Sequence, residues 1–316
     1  MASAPLTRRQ ALAGGVVLPA AYAVGCRTSV PSVELPEMRR EVLSIVDARA
    51  TVEGAGVHLR RTLGGPDLGM LDPFLLLDEM HSSRPEDFIK GFPSHPHRGF
   101  ETVTYVLDGA VDHKDSLGNH GHLGPGSAQW MTAGHGIIHS EMPGVTRGAI
   151  WAFQLWVNLP AANKLVRPRY QDIAPERVPA LDAEGARVRV VAGERGGQRG
   201  PVDGIVTAPT MLDVAVERGA RFRHDIPEGH AAFAYVILGV MNLGPTRRKV
   251  TSGQLAVLGS GRGIDAETDT GARMLLCAAR PIGEPVARYG PFVMNTDDEI
   301  KTAIDDYRSG RLVTPG

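Results

Sequence analysis

Short runs in which apolar residues alternate with polar ones, or follow one another almost without a break, recur along most of the chain. Val57–Leu63 and Glu101–Val106 alternate, as strands with one buried face do. Phe74–Leu77 and Ala149–Val157 are almost continuously apolar, as strands buried on both faces are. Glycine and proline steps separate these runs and indicate turns. The pattern predicts an all-β fold of many short strands, arranged as a sandwich or a jelly roll.

The C-terminal half repeats this strand pattern and then ends in a helix. Acidic residues at Asp297, Asp298 and Glu299 mark the start of the helix, because they favour the positive end of its dipole. Apolar residues then follow at every third or fourth position, as on the buried face of a helix. We therefore expect a duplicated β-domain followed by one short helix. Its strands are expected at residues 187–192, 210–216, 231–238, 254–258 and 272–278.

Changes in composition divide the chain into four segments. A chain of 316 residues is long enough for two domains, each with its own core. Residues 158–179 are rich in proline and charge and indicate a connection between them. We expect a signal segment at 1–26, a linker at 27–41, an N-terminal domain at 42–165 and a C-terminal domain at 166–316, which ends in the helix.

The first 26 residues are typical of an export signal. Arg8 and Arg9 precede the small and apolar run 11–23, which is too short to span a membrane but suits a signal core. The paired arginines resemble a Tat signal, and Gly25-Cys26 resembles the end of a bacterial lipobox. We expect a periplasmic protein, anchored to the membrane by a lipid on Cys26. A cytoplasmic protein is the alternative.

Charge and cysteine content exclude two other classes of protein. The net charge is −1, so the chain lacks the basic excess of a nucleic-acid-binding protein. Cys26 and Cys277 are the two cysteines of the chain, and their positions do not suggest a disulfide framework. Cys277 lies in an apolar run and is expected to be a buried free thiol. A monomer is expected.

Two pairs of potential metal ligands carry the clearest chemical signal. His95 and His97 are separated by one residue, which places both side chains on the same face of a strand. His139 and Glu141 repeat this spacing. Three imidazoles and a carboxylate could bind one divalent transition metal and leave a position open for a substrate or oxygen. The ligand types are compatible with Fe(II), Mn, Co, Ni, Cu or Zn.

The other histidines are expected to have different roles. His120 and His122 have the same spacing but stand among glycines, which predicts an exposed turn. His224 and His230 are isolated and are expected to be structural. His135 lies between two glycines and could line a pocket mouth or belong to a surface loop.

The segments around these residues resemble the pirin family of the cupin superfamily. The similarity extends over roughly residues 42–310. Its motifs are long, and they are found at residues 71–78, 92–105, 129–134, 136–137, 139–142, 284–285 and 289–296.

The resemblance implies two stacked cupin domains, which are jelly-roll β-barrels, with one metal in the N-terminal domain. Its ligands would be His95, His97, His139 and Glu141, and Fe(II) is the favoured ion. Glu101, a ligand in many other cupins, is expected to lie near the ligands on the inner face, because its sequence parity matches that of His97. The C-terminal domain would have no metal site.

The resemblance also implies a flavonol (quercetin-like) 2,3-dioxygenase. Such an enzyme takes a small aromatic or enol substrate and O₂, and opens the central ring with loss of carbon monoxide. Glu141 would accept the proton of the substrate hydroxyl group. Phe92 is a candidate pocket wall, as are Phe74 and Trp130, although core packing is the expected role of each. The alternatives are a non-catalytic, metal- or redox-sensing interaction protein and a cupin isomerase.

Overall fold

A computed structural model describes residues 38–144 and 148–313 of the chain. The predicted signal segment, Cys26 and most of the predicted linker therefore lie outside the described residues. No helix within the described ranges is both long enough and apolar enough to cross a membrane.

Short strands dominate the N-terminal half of the described chain. In chain order they are β1 (Val42–Asp47), β2 (Arg49–Glu53), β3 (Val57–Leu63), β4 (Phe74–Ser82), β5 (Phe92–His97), β6 (Phe100–Asp108), β7 (Val111–Asp115), β8 (His120–Leu123), β9 (Ala128–Thr132), β10 (Ile137–Pro143), β11 (Ile150–Asn158) and β12 (Arg169–Ile173). Short 3₁₀ turns lie at Pro85–Asp87, Ala161–Asn163 and Pro175–Arg177.

The C-terminal half continues with strands and ends in an α-helix. Its elements are β13 (Ala180–Ala183), β14 (Ala186–Ala192), β15 (Glu194–Arg195), β16 (Gln198–Arg199), β17 (Thr210–Val216), β18 (Arg221–Asp225), β19 (Ala231–Leu243), β20 (Arg248–Thr251), β21 (Gln254–Leu258), β22 (Gly263–Glu267), β23 (Ala272–Ala279), β24 (Ala287–Tyr289), β25 (Phe292–Met294) and α1 (Asp297–Arg308). The predicted strands and the predicted terminal helix are confirmed.

Two antiparallel sheets form the N-terminal half. A seven-stranded sheet has the order β12-β9-β6-β11-β4-β3-β2, and a four-stranded sheet has the order β5-β10-β7-β8. Alternate residues of the larger sheet face the space between these two sheets, where Thr104 of β6 donates a hydrogen bond to Glu141 of β10. The all-β prediction is confirmed, and the sheets in the described ranges are open rather than closed barrels.

The C-terminal half is built around a ten-stranded sheet. Its main path is β1-β21-β19-β23-β17-β14-β13, and β18, β20 and β22 pair with one another or with β19. Strand β1 thus belongs to the C-terminal sheet, although it opens the expected N-terminal segment 42–165. Strand β12 lies beyond residue 165 and yet completes the N-terminal sheet. The expected limits therefore follow sequence order, while sheet membership crosses them in both directions.

A shared apolar core joins the two large sheets. Phe74 and Phe233 meet edge to face with their ring centroids 5.0 Å apart. Polar side chains also pair across this boundary, where the hydroxyl of Tyr105 donates to Asp213 at 2.6 Å. Cys277 is buried in this core as a free thiol, as predicted. Every second residue of β6 and β11 packs in this core. The core therefore fixes the position of these two strands, whose other face belongs to the N-terminal half.

The C-terminal end of the chain returns to the N-terminal half. A capping box between Thr296 and Glu299 starts α1, which confirms the acidic helix start. Nη1 of Arg98, next to His97, donates to Asp306 of the helix at 2.9 Å. The isolated bridge between Arg98 and Phe292 ties β25 to the same place. The last elements of the chain thereby brace the strand that carries two of the predicted ligands.

Candidate metal centre

Pairing between β5 and β10 brings the three predicted histidine ligands together. His95 and His139 are direct register partners, and His97 lies opposite Ile137. The ring centroids of His95, His97 and His139 are 4.4 to 4.9 Å apart. One nitrogen from each ring lies within 4.8 Å of the other two, so the three could hold a metal ion. Spacing within one strand and register between two strands together create this group.

The hydrogen bond of His95 fixes which of its nitrogens is free. Nδ1 of His95 lies 2.8 Å from the carbonyl oxygen of Pro93, and a carbonyl can only accept. In a neutral ring, Nδ1 would therefore carry the proton and Nε2 would keep the lone pair, as in many metal-bound histidines. Nε2 of His95 is 3.1 Å from Nε2 of His97. Two nitrogens bound to one ion at ~2.1 Å and at about a right angle would be ~3 Å apart, so the spacing fits a shared ion.

Burial favours the neutral form of two of these rings. Burial is the main cause that lowers the pKa of His139 to about 4, while the nearby Glu141 opposes this shift. Burial also lowers the pKa of His97 well below its usual value, and His139 and His95 add to that effect. Neutral imidazole is the form that binds metals. Both ring nitrogens of His139 are buried without a hydrogen-bond partner among the described residues, an arrangement that a bound ion would relieve.

Glu141 lies beside the histidines but outside the group of converging donors. It follows His139 by two residues, and the β5–β10 register shifts between these two positions. Oε1 of Glu141 accepts hydrogen bonds from Thr104 at 2.9 Å and from Gln154 at 3.1 Å. Oε2 accepts one, from Gln154 at 3.0 Å. Its role as the fourth ligand stays a prediction.

Glu101 does not lie where its sequence parity predicted. Its Oε1 accepts a hydrogen bond from Thr132 at 2.7 Å, on the face of the sheet that Val103 shares with the core between the two halves. Burial raises the pKa of Glu101 to about 7, and Thr132 opposes the shift. The prediction of an inner-face position was wrong because β5 ends at His97 and Gly99, with φ of +89°, turns the chain before β6 begins.

Two members of the three-histidine group, His95 and His97, border a cavity of about 480 Å³. His95, His97 and Glu141 contribute to its wall, while Phe92 and Trp156 provide aromatic surface. Phe92 is thus a wall residue as well as a partly buried one. Phe74 and Trp130 are core residues, as expected. Charged side chains also reach the cavity, namely those of Glu53, Arg61, Asp78 and Arg288.

Several residues at the site were missed by the sequence analysis. Thr104, Gln154 and Trp156 belong to two strands that were predicted, and each stands on the face opposite the core between the halves. Alternation within those runs could have separated the two faces, once one residue of each strand had been assigned. His113 was also missed: it is buried, and it contacts the side-chain nitrogen of Gln129 at 2.6 Å.

The remaining histidines lie outside the candidate centre. His120 and His122 are exposed, as predicted, but they belong to strand β8 and not to a turn. His122 instead pairs with Asp112, 2.5 Å away. His135 is not among the residues that line the cavity, and its backbone carbonyl accepts a hydrogen bond from Arg98.

Comparison with known proteins shows that most of the chain is similar to proteins of one family. A family model described as Pirin matches residues 56–157, and one described as Pirin C-terminal cupin domain matches residues 211–313. A Pseudomonas aeruginosa protein, named as a candidate quercetin 2,3-dioxygenase, is 46% identical over 279 residues, which are 86% of this chain and 98% of that protein. Human pirin is 42% identical over 279 residues, which are 86% and 93% of the two chains.

A solved structure is also similar to this chain over most of its length. A crystal structure of quercetin 2,3-dioxygenase from Acinetobacter baumannii has a TM-score of 0.80 and 32% identity to this chain. The similarity covers 87% of this chain and 99% of the other.

Proposed function

The chain belongs to the pirin family, and from this premise we propose that it is a metal-dependent dioxygenase of flavonols or related aromatic enols. The observation that carries the proposal is that the group of three histidines borders, through His95 and His97, a cavity of about 480 Å³. Cavities of ~300–1,000 Å³ are the usual size for small-molecule sites. A metal used only for structure would not need such a cavity beside it.

We propose that His95, His97 and His139 hold one divalent ion, with Fe(II) as the first choice, and that Glu141 is the fourth ligand. A bound divalent ion would make a coordinated hydroxyl group of the substrate more acidic. Oε2 of Glu141 accepts a single hydrogen bond, so it has lone-pair capacity for the ion or for the released proton. Gln154 spans both carboxylate oxygens and orients them.

The walls of the cavity would orient a flat ligand. The rings of Trp156 and His97 are in edge contact, with their centroids 5.3 Å apart. An aromatic substrate that packs on Trp156 would therefore lie next to the metal ligands. Phe92 lines the cavity and would help to exclude water from the reacting part of the substrate.

Metal analysis combined with oxygen uptake tests this function. The purified protein, reconstituted with Fe(II) and mixed with quercetin, should consume O₂ and release carbon monoxide. His97→Ala should lose both activities, whereas His120→Ala, which alters an exposed histidine outside the site, should keep them. A fully loaded wild-type protein that consumes no O₂ with any flavonol would favour the non-catalytic, metal-sensing alternative. Conversion of a sugar without O₂ would instead favour an isomerase.

We also propose that the protein is an exported lipoprotein and a monomer. The support for export is the sequence of residues 1–26, with Arg8 and Arg9 before the apolar run and Cys26 after it. Lipid labelling of the wild type and of Cys26→Ser tests the anchor, and only the wild type should be labelled. An unlabelled wild-type protein that begins at Met1 in the cytoplasm would contradict export. Light scattering of the purified protein tests the monomer.

A further inference from the structure

An arginine from the C-terminal half reaches the cavity of the candidate metal centre. Arg288 of β24 lines this cavity, and its guanidinium carbon lies 4.8 Å from the ring centroid of Trp156. The same Trp156 ring is in edge contact with His97, with 5.3 Å between the centroids. The guanidinium group and a predicted metal ligand therefore contact the same indole.

In a second arginine at the cavity, carboxylates of the protein already accept most of the hydrogen bonds that the guanidinium group can donate. Arg61 makes two hydrogen bonds of 2.7 Å to the carboxylate of Asp78 and an ion pair of 2.9 Å with Glu53. Its donors are directed at carboxylates of the protein itself. Arg61 is therefore a structural part of the wall and has little capacity left for a ligand.

Arg288 differs from Arg61 in its partners. Its one hydrogen bond to the described residues runs from Nη1 to the carbonyl oxygen of Leu75, at 3.2 Å. No carboxylate of the described ranges lies within ion-pair distance of it. A guanidinium group has five N–H donors, so most of those of Arg288 are available. The guanidinium carbon lies over the Trp156 ring, a contact that provides no oxygen acceptor for these donors.

We propose that Arg288 is a specificity-determining residue that binds an anionic group on an aromatic substrate. The proposal rests on the proposed function, because it assumes that the cavity takes a flat aromatic ligand. One end of such a ligand would meet the metal centre, while a carboxylate, sulfonate or phenolate at its other end would meet Arg288. The fork of donors in arginine suits the two oxygens of a carboxylate or the three of a sulfonate better than the single oxygen of a phenolate.

A competing explanation is that Arg288 only balances the negative charge of Glu53 and Asp78. Both carboxylates line the same cavity, and both influence Arg288 electrostatically. Loss of a purely balancing charge would also weaken an anionic ligand more than a neutral one, because the cavity would become more negative. Arg288→Lys keeps the charge, so it would restore the binding of the anionic ligand in full if Arg288 only balanced charge. Direct recognition by the planar fork would be restored only in part, so the lysine variant separates the two explanations.

The test is a binding measurement made without oxygen, so that no turnover is needed. The dissociation constants of quercetin and of its sulfonated analogue are measured by calorimetry on the metal-loaded protein. Arg288→Gln should weaken the binding of the sulfonated ligand about tenfold, since a charge-assisted hydrogen bond is lost at a partly exposed site. The dissociation constant of quercetin should change less than about twofold in the same variant. Arg288→Lys should recover only part of the loss, because the planar fork is absent.

Arg187→Gln is the matched control, since Arg187 is exposed on β14 and does not line the cavity. It should leave both dissociation constants unchanged. Equal weakening of the two ligands by Arg288→Gln, no weakening of the sulfonated one, or full recovery of its binding in Arg288→Lys would overturn the proposal. Binding with the expected discrimination but without O₂ uptake in air would instead refute the proposed dioxygenase and leave the role of Arg288 intact.

Discussion

The interiors of the two halves differ far more than their strands do. In the C-terminal half, the inward positions are apolar on every strand of the main path, with Val214, Ala234 and Leu276 as examples, and they fill the space between the strands. In the N-terminal half, corresponding space is lined by polar groups such as His139 and Gln154, and it opens to the cavity. The comparison indicates that the C-terminal half is packed throughout for stability, while the N-terminal half has exchanged part of its apolar packing for a ligand site.

This exchange has a cost that the rest of the molecule offsets. Buried polar groups destabilise a fold unless they are paired. The hydrogen bonds from Thr104 and Gln154 to Glu141 provide such pairing on one side of the site. On the outside, the salt bridge between Arg98 and Asp306 ties the terminal helix to the strand of His97. The shared core and the terminal helix thus stabilise the N-terminal half in addition to its own apolar cluster, which includes Leu59, Val106 and Ile150.

The largest effect is expected from removing a ligand in the N-terminal half. His97→Ala takes one imidazole from the group of three, and the remaining donors should bind a divalent ion weakly. Changes to groups that only support a ligand often reduce metal affinity ~10–100-fold, so the loss here should exceed ~100-fold. Metal content after dialysis, measured by mass spectrometry, checks this. His120→Ala is the control, and a full metal complement in His97→Ala would remove His97 from the site.

In the C-terminal half, the corresponding change should affect stability and spare the metal. Leu276 is fully buried in the apolar interior. Leu276→Ala should leave a cavity there and lower the free energy of unfolding by about 2–5 kcal/mol. Urea denaturation of the metal-free protein measures this loss, and metal content should stay that of the wild type. A large loss of metal with little loss of stability would invert the comparison between the halves.

A smaller effect is expected at the residue that orients Glu141. Gln154→Leu keeps the approximate volume of the side chain but removes its hydrogen bonds to both oxygens of Glu141. We expect metal affinity to fall roughly 10-fold, because a group that positions a ligand is lost. Competition with a chelator of known affinity provides the measurement. Unchanged affinity would mean that Glu141 is held by Thr104 alone or does not contribute to metal binding.

The smallest effect is expected at Glu101, and it tests which face of the N-terminal sheet carries this residue. Burial raises its pKa to about 7 in the folded protein, above the ordinary value of 4.5 that applies in the unfolded chain. Between pH 4.5 and about 7, the folded state therefore retains a proton that the unfolded state releases. The contribution of Glu101 to stability is thus lost as the pH rises through this range. Glu101→Gln should thus raise stability relative to the wild type at pH 8, by about 1–2 kcal/mol, and change it little at pH 4.

Unfolding of both proteins at the two pH values measures this difference. Metal content should be the same in Glu101→Gln and in the wild type, because Glu101 lies on the face away from the histidines. A loss of metal in this variant would restore the inner-face position that its sequence parity had predicted.

Local patterns in the sequence were sufficient for the strands that they predicted and for the spacing within each ligand pair, but they predicted a turn at His120 where strand β8 lies. The spacing of His95 and His97 depends on one strand, and strand geometry alone places both on one face. The prediction for Glu101 was wrong because it extended the alternation of side chains in β5 across the turn at Gly99. The alternation starts again after that turn. A sequence rule for side-chain direction therefore holds only within an uninterrupted strand.

Long-range pairings were beyond the reach of the sequence. Strand β1 pairs with β21 more than 200 residues later, and no local signal specifies which sheet an edge strand joins. Arg288 likewise stands almost 200 residues after His97, and its entry into the cavity depends on how the terminal segment packs. Gln154 was hidden for a different reason: a strand that is buried on both faces does not reveal which of its faces is the polar site.

The central claim is that one metal ion binds in the N-terminal half, between the three histidines. Crystals of the protein reconstituted with Fe(II) can be measured at wavelengths on both sides of the iron absorption edge. The anomalous difference map should contain one strong peak within ~2.0–2.3 Å of a ring nitrogen of each of His95, His97 and His139, and none in the C-terminal half. A fully loaded protein with its peak elsewhere, or with no peak at these rings, would contradict the account.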